Sequence, residues 1–95
     1  MSELIHQIVQ VLKEQIVQNT VVPRNIKRAA ERAIEVLLDE SKEPALRAAD
    51  AIAILEEISE DPNMPMHTRT VIWEILGPLN RLSERFYFSR SFPPF

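Results

Sequence analysis

Cysteine is absent from this chain, and glycine occurs once, at Gly77. Without cysteine there is no disulfide, no thiolate metal ligand and no thiol nucleophile. A single glycine cannot build the loops that cradle a dinucleotide or a nucleoside triphosphate. The two histidines, His6 and His67, fall on different segments with no tight carboxylate spacing beside them, so the ligands of a zinc site are missing. No apolar run approaches the roughly 18 residues that a membrane span needs. The stretch "MSELIHQIVQ" lacks the basic start and apolar core of a secretory signal, so a cytoplasmic protein is expected. Aromatics are nearly absent until the end: five of the six are Phe86, Tyr87, Phe88, Phe92 and Phe95.

What remains is the composition of one globular domain: 95 residues, 45% hydrophobic and 26% charged. A chain of this length buries roughly 60–65% of its unfolded surface, so its stability margin is narrow. The net charge is −3 and gives no global pull toward nucleic acid or an anionic membrane. It is unevenly spread, with residues 22–34 carrying +3 and residues 35–61 carrying −7.

Pro23, Pro44 and Pro65 stand 21 residues apart. Thr20 and Ser41 each precede a proline by three residues, and Asn63 stands just before Pro65. The pattern predicts three helix starts capped by those side chains, with proline in the first turn, where its missing N–H costs least. Helical spacing of apolar residues follows each start. Residues 2–19 place Leu4, Ile5, Ile8, Val9, Leu12 and Ile16 on one face. A second helix is predicted over about 22–39, with Ile26, Ala29, Ala30, Ala33, Ile34, Leu37 and Leu38 as its stripe. A third, over about 42–59, is apolar almost all round and so should be central. A fourth begins near Pro65. Gly77-Pro78 should kink or end it, with a further short helix over about 79–87.

Short loops imply sequential antiparallel packing. The expected fold is all-α: a compact bundle of four to five short antiparallel helices over residues 1–79, with an aromatic-rich extension over 80–95. Two units make about 42 residues, close to one HEAT repeat, and "EPALRAADAIAIL" resembles a helix of that type. Two helix pairs are too few for a superhelix.

Arg24, Lys27, Arg28 and Arg32 cluster on the second helix. One interpretation is a phosphate-binding stripe. The other is internal: the third helix ends in Glu56, Glu57, Glu60 and Asp61, and an antiparallel hairpin would set that acidic end beside the basic start. Asp50 in "RAADAIA" is expected to pair with Arg47, three residues earlier. Met64, Met66 and Trp73 are expected to fill core. The run "EEISED" reads as a solvated helix end. Phe86, Tyr87, Phe88, Phe92 and Phe95 are candidate protein contacts, because exposed aromatics at this density need a surface to cover them.

The segments "VPRNIKRAAERAI", "DESKEPALRAADAIAILEEISEDPNMP" and "HTRTVIWEILG" resemble those of a small archaeal family with no assigned function. The resemblance covers roughly residues 1–79. It implies an all-helical bundle from an archaeal cytoplasm and brings no activity, cofactor or catalytic residue. The tail departs from the family pattern. The expectation is a non-enzymatic protein-interaction module with no cofactor and a protein partner or self-association. The alternative is an RNA-, DNA- or ribosome-associated accessory protein using Arg24, Lys27, Arg28 and Arg32.

Overall fold

A computed structural model describes residues 2–91, with side-chain surroundings for residues 3–84. The described chain is helical and contains no strand: α1 Ser2–Leu12, α2 Arg24–Leu37, α3 Pro44–Ile58 and α4 Met66–Ser91. A π turn, Lys13–Val17, continues α1 without a break. The amide of Gln18 donates to the carbonyl of Lys13, five residues back, which closes the wider ring.

The loops explain the proline grid in a way that the capping expectation did not. The predicted hydroxyl and amide caps at Thr20, Ser41 and Asn63 are not the capping groups. Pro23 and Glu43 stand at the N-cap positions of α2 and α3, and neither makes a side-chain capping bond. Asn19, Asp39 and Asp61 do the work instead. Each Oδ1 accepts the amide two residues on, from Val21 at 3.0 Å, Ser41 at 3.0 Å and Asn63 at 2.8 Å. Each carbonyl accepts the amide three residues on, from Val22, Lys42 and Met64. The same Asx turn is therefore built three times, with its first residue at 19, 39 and 61. The structural offsets are 20 and 22. The prolines average this to 21 because Pro23 and Pro65 precede their helices, whereas Pro44 is the first residue of α3.

Arg47 and Arg69 hold the same place in two of these units, eight residues after the Asx residue. Arg47 donates to the carbonyls of Leu37 at 3.1 Å and Lys42 at 2.8 Å. Arg69 donates to the carbonyls of Ser59 and Asp61. Each guanidinium thus satisfies acceptors left open where the preceding helix ends. Lys27 occupies the equivalent place after Asn19.

These bonds fix the topology. Arg47 ties the start of α3 to the end of α2, and Asn25 ties the start of α2 to Asp61, just past the end of α3. The two helices are antiparallel, and α3 packs against α2 on one side and α4 on the other. Its central place follows from alanine: Ala45, Ala48 and Ala51 are buried, and their small side chains let both neighbours approach. One apolar cluster runs through the molecule, with Ile5, Leu12, Ile16, Ile26, Leu37, Leu55, Ile72 and Leu79 among its most enclosed side chains.

Gly77-Pro78 neither ends nor divides the fourth helix, which runs through both as one rod of 26 residues. Pro78 removes one backbone donor and crowds the carbonyl of Glu74. The same face nonetheless stays buried on both sides of it, at Ile72, Ile75, Leu79 and Leu82. Burial of Leu79 and Leu82 offsets the local cost of the proline.

Candidate functional site

Arg24, Arg28 and Arg32 are all exposed and step round α2 by about 40° each. At 100° per residue, Arg24 and Arg28 face solvent together with Glu31 and Glu35. Arg32 turns toward α3, where it shares a depression with Asn25, Ala29, Ile54, Glu57 and Ile58. Lys27 turns the other way and is half-buried. The expected pairing with the acidic end of α3 takes a different form. The helix ends do meet, but through an amide: Nδ2 of Asn25 donates to Oδ2 of Asp61 at 2.6 Å. Among the described residues the ion pair within 4 Å is Lys42–Asp50, at 3.5 Å. Asp50 is thus partnered by Lys42 and not by Arg47, whose guanidinium is committed to backbone carbonyls.

Two carboxyls are perturbed, both downward. The hydroxyl of Ser41, at 2.6 Å, and then its amide hold Asp39 below the usual carboxylate value of 3.8. The amide of Asn63 and then the side chain of Asn25 do the same for Asp61. Both are turn residues at the surface. Among the described residues no group of three or more His, Cys, Asp or Glu side chains converges as a metal site would require. His6 is exposed on α1, and Nε2 of His67 lies 3.2 Å from Oε1 of Gln15.

That last contact marks the most distinctive surface. It pins the π turn to the start of α4. Here the π turn that continues α1 approaches α4. Between α1 and α4 lies an open groove of about 470 Å³. Leu4, Gln7, Ile8, Val11 and Gln15 form one wall, and His67, Val71, Glu74, Ile75 and Pro78 the other. The floor is aliphatic and the polar groups stand on the rim. The π turn takes part directly, because Gln15 belongs to it and meets His67 across the groove.

Trp73 is 61% exposed and Met66 is 74% exposed on the solvent side of α4. Trp73 lies about 100° round the helix from Glu74 and about 140–160° from Val71, Ile75 and Pro78 of the groove wall. Of the three residues expected to fill core, only Met64 is buried. Phe86, Tyr87 and Phe88 fall in the part of α4 whose side chains lie outside the described set. Phe92 and Phe95 lie outside the described residues altogether.

Fold and surface together define a small all-α protein with an apolar inter-helix groove and dispersed polar chemistry. The chain belongs to the uncharacterised protein family UPF0147, whose model matches residues 1–82. It is 83% identical over 82 residues to a UPF0147 protein of Thermococcus kodakarensis, covering 86% of this chain and 99% of that relative. It is 54% identical over 74 residues to one from Methanocaldococcus jannaschii, covering 78% and 80%. Both sources are archaeal, as the resemblance implied. The crystal structure of a protein of unknown function, MMP1188, is similar over 82% of this chain and 88% of that one, at 49% identity and a TM-score of 0.79. The crystal structure of a protein from the uncharacterised family UPF0147 of Thermoplasma acidophilum is similar over 85% of this chain and 94% of that one, at 31% identity and a TM-score of 0.77. The family has no assigned activity.

Proposed function

We propose that this protein is a non-enzymatic, cytoplasmic interaction module that receives an apolar segment of a protein partner in the α1–α4 groove. One observation carries the proposal: an aliphatic groove with a polar rim, on a molecule that also exposes a tryptophan further round α4. Recognition of a helix or extended segment uses such a surface, with an apolar floor for affinity and rim groups for register. Tryptophan is among the residues most enriched where binding energy concentrates. The HEAT-like character of the antiparallel hairpins belongs with this interpretation, because such hairpins serve as rigid supports for a binding face.

The test is an affinity capture from native archaeal lysate, with and without nuclease. A protein retained in both arms by the wild-type chain, and lost with Val11→Asp or Trp73→Ala, is the expected result. Val11 is 38% exposed, so the aspartate reaches water without unfolding the core. Retention unchanged by both substitutions overturns the groove proposal.

A specific observation favours a second interpretation. Arg24, Arg28 and Arg32 are exposed and make no ion pair within 4 Å among the described residues. Three phosphate contacts would give a log–log salt slope of about −3 on duplex DNA. Glu31 and Glu35 dilute the same face, and no aromatic side chain stands among the cations for bases to stack on. Nuclease-sensitive capture that is abolished by Arg28→Glu would replace the groove proposal with this one.

A further inference from the structure

We propose that the α1–α4 groove takes the aromatic C-terminal segment of a second copy of this chain, giving a reciprocal dimer. This rests on the groove being a protein-docking surface, as argued above, and names its occupant.

Three observations point to the tail. The first is that it is surplus to the family fold. The 82 residues shared with the Thermococcus kodakarensis relative make up 99% of that protein, which leaves thirteen residues of this chain without counterpart there. The family match stops at residue 82. Those thirteen hold Phe86, Tyr87, Phe88, Phe92 and Phe95, whereas the matched region has one aromatic, Trp73. Such a density of aromatics is costly to leave in water.

The second is charge. The segment after residue 82 carries Arg85 and Arg90 against Glu84. The carboxylate among the groove's lining residues is Glu74, and Glu3 and Glu14 are exposed, with Lys13, on the flank formed by α1 and the π turn. A weakly basic aromatic segment suits an aliphatic groove that carries a carboxylate on its wall.

The third is reach, which selects a second copy over the chain's own tail. The groove ends on α4 at Pro78, and the helix runs on to Ser91. Those thirteen residues carry the chain about 20 Å away at 1.5 Å per residue. The four residues after Ser91 span at most about 14 Å when fully extended. Phe92 and Phe95 therefore stop short of the chain's own groove. In a pair related by a two-fold axis each tail meets the other groove, so both aromatic segments and both grooves are covered at once.

The experiment uses the full chain in analytical ultracentrifugation, with two variants: Val11→Asp in the groove, and Phe92→Asp with Phe95→Asp in the tail. The wild-type chain is expected at twice 11.0 kDa. Each variant alone is expected to weaken the dimer at least about tenfold. Mixing the two restores one tail–groove contact, so a heterodimer is expected from components that do not self-associate. Circular dichroism of each variant separates lost docking from lost folding. A wild-type chain that sediments as a monomer overturns the tail proposal while leaving capture of another protein in the groove intact. So does a dimer indifferent to the tail variant. A dimer abolished by the tail variant but untouched by Val11→Asp places the contact elsewhere and also overturns it.

Discussion

Asn19, Asp39 and Asp61 hold the same turn position, and that equivalence makes a test available at the level of single side chains. Asn19 demonstrates that asparagine builds the turn. Asp39→Asn with Asp61→Asn should therefore keep the fold at neutral pH while removing two titrations. Both carboxyls are held below their ordinary value in the folded chain. The unfolded chain therefore binds more protons as pH falls through the usual carboxylate range, and stability present above that range is lost below it. The wild-type melting temperature should drop as pH is lowered below about 4, and the double variant should show a shallower drop. Equal slopes would mean that the turn bonds do not distinguish folded from unfolded carboxylates. Arg47→Ala removes two bonds from a charged donor, to the Leu37 carbonyl at the end of α2 and to the Lys42 carbonyl in the loop that follows, at an expected cost of about 2 kcal/mol by urea unfolding. Thr68 is 1% exposed, and its hydroxyl meets no hydrogen-bond partner among the described residues. Thr68→Val should then be neutral or stabilising, by up to about 1 kcal/mol.

The helices themselves show which parts of the architecture were legible from sequence. Helix existence and order follow from aliphatic periodicity, and α3 lies centrally as its all-round alanine and isoleucine surface implies. The caps were misassigned because a serine or threonine three residues before proline resembles a capping box start. The side chain that organises each loop stands one or two residues earlier. The continuity of α4 was hidden because Pro78 is a strong local breaker, whereas the burial of Leu79 and Leu82 is a tertiary effect. Gly77 sits inside that helix, and a Cβ added there meets nothing within 4 Å. Gly77→Ala should accordingly raise stability by about 0.5–1 kcal/mol, or several degrees in melting temperature for a domain of this size. A loss instead would show that α4 needs the extra freedom to pass Pro78. The π turn had no sequence signature, since Lys13–Val17 carries ordinary helical periodicity.

For the whole molecule, the groove was not legible in the sequence. Val11 continues the edge of the α1 stripe beside Leu4 and Ile8 and gave no sign that this edge stays uncovered. Trp73 was expected to fill core and is instead exposed on α4. The groove joins α1 to α4, with the Gln15–His67 contact reaching across 52 residues of sequence, so periodicity alone could not place it. The basic residues of α2 were conspicuous in sequence, yet in three dimensions they spread over a wide arc and are mixed with carboxylates. Recognition is therefore proposed for the α1–α4 face, with the exposed arginines of α2 as the alternative surface. Hydrogen–deuterium exchange of the chain, free and with its captured or self-associated partner, tests this most directly. Slowed exchange over residues 4–15 and 67–78 is the expected result, and slowing confined to residues 24–32 would contradict it.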